Sequence, residues 1–152
     1  MKIIILAVGR MGQDPTKAIY SKYMRRIPWA NELKEFKESR PFDRFERSEK
    51  ESTLLVNAIP ANSKVVALHR DGKMLSSNEF AVQIREWRDL GAPSISFLIG
   101  GAQGHSSPVL KRADLILSFG PMVWPHLMAR VMLSEQLWRS AAILTGHPYH
   151  RV

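Results

Sequence analysis

The chain contains no cysteine. That excludes a disulfide framework and any zinc site built on thiolates, and it agrees with a cytoplasmic location. No run of eighteen apolar residues occurs, so no membrane-crossing helix is expected. Internal repeats, low-complexity stretches and linker-like segments are also missing, and 152 residues fit a single domain spanning 1–152. Acidic residues are scarce beside basic ones: 14 Asp and Glu stand against 22 Lys and Arg, a net charge of +8. Such an excess attracts polyanions, nucleic acid before an acidic membrane surface, although a merely soluble basic protein would carry it as well. Met1-Lys2 and the apolar run after it share the look of a signal peptide. The run is short and no small-residue cleavage site follows, so a buried first strand is the better reading.

What is present is enough apolar material for a core, 45% of the residues, arranged as alternating strands and helices. Lys2 to Val8 is a β-branched run of the kind covered on both faces. Asp14-Pro15 opens a helix expected to reach Ile27, where Pro28 stops it. A weak strand is expected over Leu33 to Phe36. Arg40 to Lys50 reads as a mobile, solvated loop, followed by a helix over roughly 46–58. Lys64 to Leu68 predicts a strand. A helix capped by Ser76 or Ser77 then runs to Leu90, and Gly91 ends it. Ser94 to Ile99 and Leu115 to Phe119 are the last strands, with a short helix closing near Leu110-Lys111, and Pro125 starts the longest helix, which ends near Gly146. The alternation predicts an α/β fold with a mainly parallel sheet flanked by helices.

Two strand ends draw attention. Ile99 runs into Gly100-Gly101-Ala102-Gln103-Gly104, three glycines in five residues. Glycine lets a ligand approach the backbone, and strand ends of such sheets bind ligands, but a bare tight turn reads equally well. Neither a dinucleotide fingerprint nor a P-loop is matched here or at Gly9-Arg10-Met11-Gly12. The second strand end is Phe119-Gly120-Pro121-Met122-Val123-Trp124, an apolar loop leading straight into the final helix. An exposed apolar loop needs a cover: another element, a partner chain or a flat ligand. Its main-chain groups can read an adenine edge.

The final helix is apolar over more than one stripe, from Leu127 through Leu144. A sheet covers one side, and a second copy of the chain is a natural cover for the other. The tail, Gly146-His147-Pro148-Tyr149-His150-Arg151-Val152, joins an aromatic, histidines and an arginine that suit base stacking and phosphate contact. A metal site is not expected, since no carboxylate lies near those histidines in sequence.

Taken in order, Met1 to Gly9, Gly72-Lys73-Met74-Leu75-Ser76-Ser77, Ile99 to Gly104, Pro125-His126 to Arg130-Val131, Glu135-Gln136-Leu137-Trp138-Arg139 and His147 to Arg151 resemble the ribosomal RNA large-subunit methyltransferase H family, of the SPOUT class. The resemblance covers essentially the whole chain. It implies an α/β domain with a C-terminal trefoil knot. It also implies a cytoplasmic homodimer, S-adenosylmethionine as cofactor, and methylation of N3 of a pseudouridine in large-subunit ribosomal RNA within the assembled ribosome. Carried over by position, the cofactor contacts are Leu68, Gly100, Gly101, Phe119, Gly120, Pro121, Met122, Val123 and Trp124. The RNA-side and catalytic candidates are His126, Arg130, Tyr149, His150 and Arg151. The chain departs from the family at His69, where an aspartate is usual and which Asp71 would have to replace, and at His105, where an aliphatic residue is usual.

The N3 nitrogen of a uracil ring is a poor nucleophile until it loses its proton. A cation, Arg130 or Arg151, would favour the deprotonated imide, and His126 or His150 could take the proton. A non-enzymatic basic RNA-binding module would explain the charge but neither of the two loops. A small-molecule α/β enzyme would not need the basic excess.

Overall fold

Ile3, Ile5 and Ala7 of β1 (Lys2–Val8) face one side of a sheet and Ile4, Leu6 and Val8 the other, all six buried. This is the two-faced burial that a continuous β-branched run signals. β1 is flanked by β2 (Ala30–Phe36) and β4 (Ser94–Ile99). β3 (Lys64–Met74) follows β4, and β5 (Leu115–Ser118) closes the sheet in the order 2-1-4-3-5, with every pairing parallel. The structure is a computed structural model and describes residues 1–151.

Five helices make the crossovers and the outer layers. α1 (Thr16–Met24), α3 (Ser77–Asp89) and α5 (His126–Thr145) cover one face, where Tyr20, Met24, Phe80, Ile84, Trp87, Leu133 and Leu137 meet the Ile3 side of the sheet. α2 (Arg44–Asn57) and α4 (Ser107–Arg112) cover the other through Leu55 and Val109. Because all strands are parallel, the loops after β1, β3, β4 and β5 emerge at one end of the sheet, which is where the site lies.

Several boundaries differ from the sequence reading, each for a local reason. α1 stops at Met24 rather than Ile27. Its last turn tightens through Arg26 N–H to Tyr23 O, and Ile27, preceding Pro28, is pushed out of helical geometry into the core. The expected solvated loop over Arg40 to Lys50 is already helical from Arg44, because Asp43 caps α2 by accepting the Glu46 N–H at 2.9 Å. β2 begins at Ala30, three residues early, as an edge strand whose Glu32 pairs with Lys2 and Lys34. β3 continues past Leu68 to Met74. Its register against β5 slips between Leu68 and Lys73, so residues 69–72 bulge outward. Phe119 lies beyond β5, which ends at Ser118. The Ser76 cap of α3 forms a full capping box with Glu79, and Gly146 closes α5 in the left-handed region at φ 69.

The broad apolar girth of α5 is covered by α1, α3 and the chain's own tail more than by the sheet. Trp138 sits 5.2 Å from the His147 ring and 5.6 Å from the Tyr149 ring. Toward the helix start Met128 stays exposed, as do Met122 and Val123 in the loop before it.

Candidate functional site

A cleft of about 790 Å³ opens at the carboxyl ends of β3, β4 and β5. Residues 100–104 form one wall, residues 119–120 and 122–125 another, and Leu68, Leu117 and the 69–71 bulge the floor and rim. Within the glycine loop, Gly104 N–H donates to Gly101 O at 3.0 Å, closing a tight turn. A Cβ on Gly100 would stand 3.0 Å from the Gly104 carbonyl carbon. One on Gly101 would stand 2.9 Å from Glu51 Oε2 and 3.0 Å from Val8 Cγ1. Glycine at these two positions lets the loop close on itself and pack on α2 without crowding.

The opposite wall starts at Ser118, whose hydroxyl donates to the Arg70 carbonyl at 2.8 Å and accepts the Gly120 N–H at 3.0 Å. Gly120 has φ +106, a conformation that favours glycine. Met122 is 70% exposed, Val123 78% and Trp124 42%. Eight of the nine carried-over cofactor residues line the cleft: Leu68, Gly100, Gly101, Phe119, Gly120, Met122, Val123 and Trp124. Pro121 is exposed and outside the lining.

His126 opens α5 and lines the cleft. Burial, and then the charge of Arg130, push its pKa below the ordinary histidine value. It packs on Gly9, where a Cβ would come within 3.0 Å of His126 Nε2. Gly9 also has φ +85, so a side chain is disfavoured there twice over. Arg130, one turn further on, is fully buried. Its guanidinium pairs with Glu35 Oε1 at 2.6 Å and donates to the carbonyls of Val8 and Gly9 at 2.8 Å each. It sits behind His126 and tethers the loop after β1 to α5.

The tail lies elsewhere. Tyr149 donates its hydroxyl to Glu135 Oε1 at 2.9 Å, Arg139 stacks 5.0 Å over the Tyr149 ring, and Arg139 Nη1 lies 3.4 Å from His150 Nδ1. Trp138, the floor of this clasp, is about 18 Å along the helix axis from His126. None of Tyr149, His150 and Arg151 lines the cleft. The structure thus gathers His126 with the cofactor residues, places Arg130 behind them and holds the tail residues apart.

Residues that the sequence reading did not assign also line the cleft, notably Arg70, Ala102 and Gln103. Their signal was the bulge and the turn, both invisible to strand periodicity. His69 and Asp71 stand on the rim, with His69 Nδ1 accepting the Asp71 N–H at 3.2 Å. His105 is buried under the glycine loop with Nε2 3.1 Å from Leu98 O, and burial lowers its pKa to about 4. Among the described residues no group of three or more histidines and carboxylates is placed to hold a metal ion, and no helix is long and apolar enough to cross a membrane.

Residues 1–150 match the family described as "Predicted SPOUT methyltransferase". The chain is 46% identical over 151 residues to a ribosomal RNA large subunit methyltransferase H from Paramagnetospirillum magneticum, covering 99% of both chains. It is 42% identical to the protein of the same name from Rhodospirillum centenum, also over 99% of both. Among solved structures, a methylase family protein of Haemophilus influenzae superposes with a TM-score of 0.58 at 11% identity, over 99% of this chain and 70% of that one. A methyltransferase of Legionella pneumophila, solved with bound cofactor SAM, superposes with a TM-score of 0.50 at 16% identity, over 90% of this chain and 65% of that one.

Proposed function

The chain belongs to the SPOUT methyltransferase family, and from that membership we propose that it methylates N3 of a pseudouridine in large-subunit ribosomal RNA, within the assembled ribosome, using S-adenosylmethionine. The observation that carries this reading is the cleft of about 790 Å³ bounded by two main-chain loops. Its volume is ample for a nucleoside-sized cofactor. Leu68, Leu117, Phe119 and Trp124 offer flat apolar walls for an adenine ring, and the backbone of residues 100–104 and 119–124 offers donors and acceptors for its edge. S-adenosylmethionine supplies a methyl group already activated on a sulfonium.

The protein's own task is alignment and proton removal. We assign the imide proton to His126, which lines the cleft and whose pKa is lowered by burial and by Arg130. Arg130 is a positioning residue, since it is fully buried and both terminal nitrogens are engaged by Glu35 and two carbonyls. Arg151 and His150 cannot serve the cleft of their own chain from the Trp138 clasp. In a homodimer they would serve the partner's cleft, Arg151 as the cation beside the developing imide anion and Tyr149 as a stacking surface. The exposed apolar side chains of Met122, Val123 and Met128 are what the second copy would cover. The same membership supports a C-terminal trefoil knot and a cytoplasmic setting.

The test is methyl transfer from labelled S-adenosylmethionine to large ribosomal subunits from cells lacking this enzyme, with the modified base mapped. Incorporation at N3 of one pseudouridine is expected. A chain that binds ribosomal RNA yet neither binds the donor nor transfers label would instead be a basic RNA-binding module.

A further inference from the structure

α2 packs against the glycine loop through polar side chains. Ser48, Glu51 and Ser52 are all buried, and their spacing places them on one stripe of the helix. Ser48 Oγ donates to the Gly104 carbonyl at 3.3 Å, and Ser52 Oγ accepts the Ser106 N–H at 2.9 Å. Between these two fastenings lies Glu51, 7% exposed, with Oε2 2.9 Å from the point where a Gly101 Cβ would stand. That oxygen has no hydrogen-bond partner among the described residues.

A buried carboxylate oxygen without a donor is costly. Burial accordingly raises the Glu51 pKa, while Arg47 pulls it down and Glu38 pushes it up. An apolar residue would fill the same space at lower cost, so the acceptor needs a use. The donors at hand are the amides of the turn above it, whose internal hydrogen bond uses only the Gly104 N–H. We propose that Glu51 is a positioning residue for the methyl donor: its free oxygen takes a main-chain N–H of the Gly101–Gly104 turn as that turn closes on the donor, latching the loop to α2. This rests on the cleft binding S-adenosylmethionine, as proposed above.

Three variants test it, each checked for folding by thermal unfolding. Glu51→Gln keeps the size and an acceptor oxygen; Glu51→Leu keeps the bulk alone; Glu51→Ala keeps neither. Titration with S-adenosylmethionine should show the Leu and Ala variants binding about tenfold more weakly, the loss of one hydrogen bond, and the Gln variant within about threefold of wild type. In steady-state transfer the KM for the donor should rise in step, with the KM for ribosomal subunits unchanged. A Leu variant that binds the donor as wild type does would reduce Glu51 to a space filler and overturn the inference alone. So would a Gln variant as weak as the Ala variant. A wild-type chain that ignores the donor would overturn the proposed reaction and this inference together.

Discussion

Arg130 places a permanent charge at zero exposure, and the arrangement is tolerable because both terminal nitrogens are filled, Nη1 by Glu35 and Nη2 by the carbonyls of Val8 and Gly9, while Nε has no partner among the described residues. Arg130→Met would leave Glu35 with the Met11 N–H and no cation, and would uncover two carbonyls. The expected cost is about 3–5 kcal/mol in urea unfolding, with weaker placement of His126. A loss under about 1 kcal/mol would mean the guanidinium is not a structural tether. His105 makes a second residue-scale prediction. Its pKa falls from the ordinary 6.5 to about 4 because it is buried, so the folded chain binds its proton less readily than the unfolded chain. Stability from this group is present above pH 6.5 and is lost as pH falls through that window toward 4. Relative to His105→Leu, wild type should lose about 3 kcal/mol across it, read by chemical denaturation at stepped pH. Parallel curves for the two proteins would refute the assignment.

At the scale of elements, the bulge in β3 shapes the cleft rim, and Gly72 permits it. A Cβ there would stand 2.7 Å from the Ile116 carbonyl oxygen and 2.8 Å from its carbon, both backbone. Neither strand can yield without breaking the β3–β5 ladder that sets Leu117 and Ser118 in place. Gly72→Ala should therefore destabilise the chain by about 2 kcal/mol or more. Faster hydrogen exchange should appear at 115–118, and exchange there unchanged from wild type would show that the ladder absorbs the methyl.

Most strands and helices were legible from period and punctuation, β1 from its apolar run, α3 from its capping box and α5 from its length and Gly146. The bulge was not, because strand periodicity carries no signal for a register slip. The start of α2 was hidden by charge: Arg44 to Lys50 reads as solvated, yet Ser48 and Glu51 are inside. The two loops of the cleft were legible as loops. That Gly101 faces Glu51 and Val8 was not, since those contacts join residues about 50 and 90 positions apart.

At the scale of the whole molecule, one geometrical fact constrains any mechanism that uses both the cleft and the tail. The tail is fastened by Tyr149 to Glu135 and by two rings to Trp138, while the cleft begins at His126. Along a rigid helix His126 stands about 14 Å from Glu135 and about 18 Å from Trp138, farther than one side chain reaches. If both act in one reaction while the tail stays in its clasp, they act across two copies of the chain. Complementation decides it. Arg151→Ala should abolish transfer by leaving every tail deficient. A variant with a blocked cleft, such as Gly100→Val, should abolish it by leaving every cleft closed. Mixed and allowed to exchange subunits, the two should recover about a quarter of wild-type transfer, because half of the dimers would be mixed and each mixed dimer would join one sound cleft to one sound tail. Sedimentation as a dimer with no recovery on mixing would place the tail's work within its own chain, and would require it to leave the Trp138 clasp to do so.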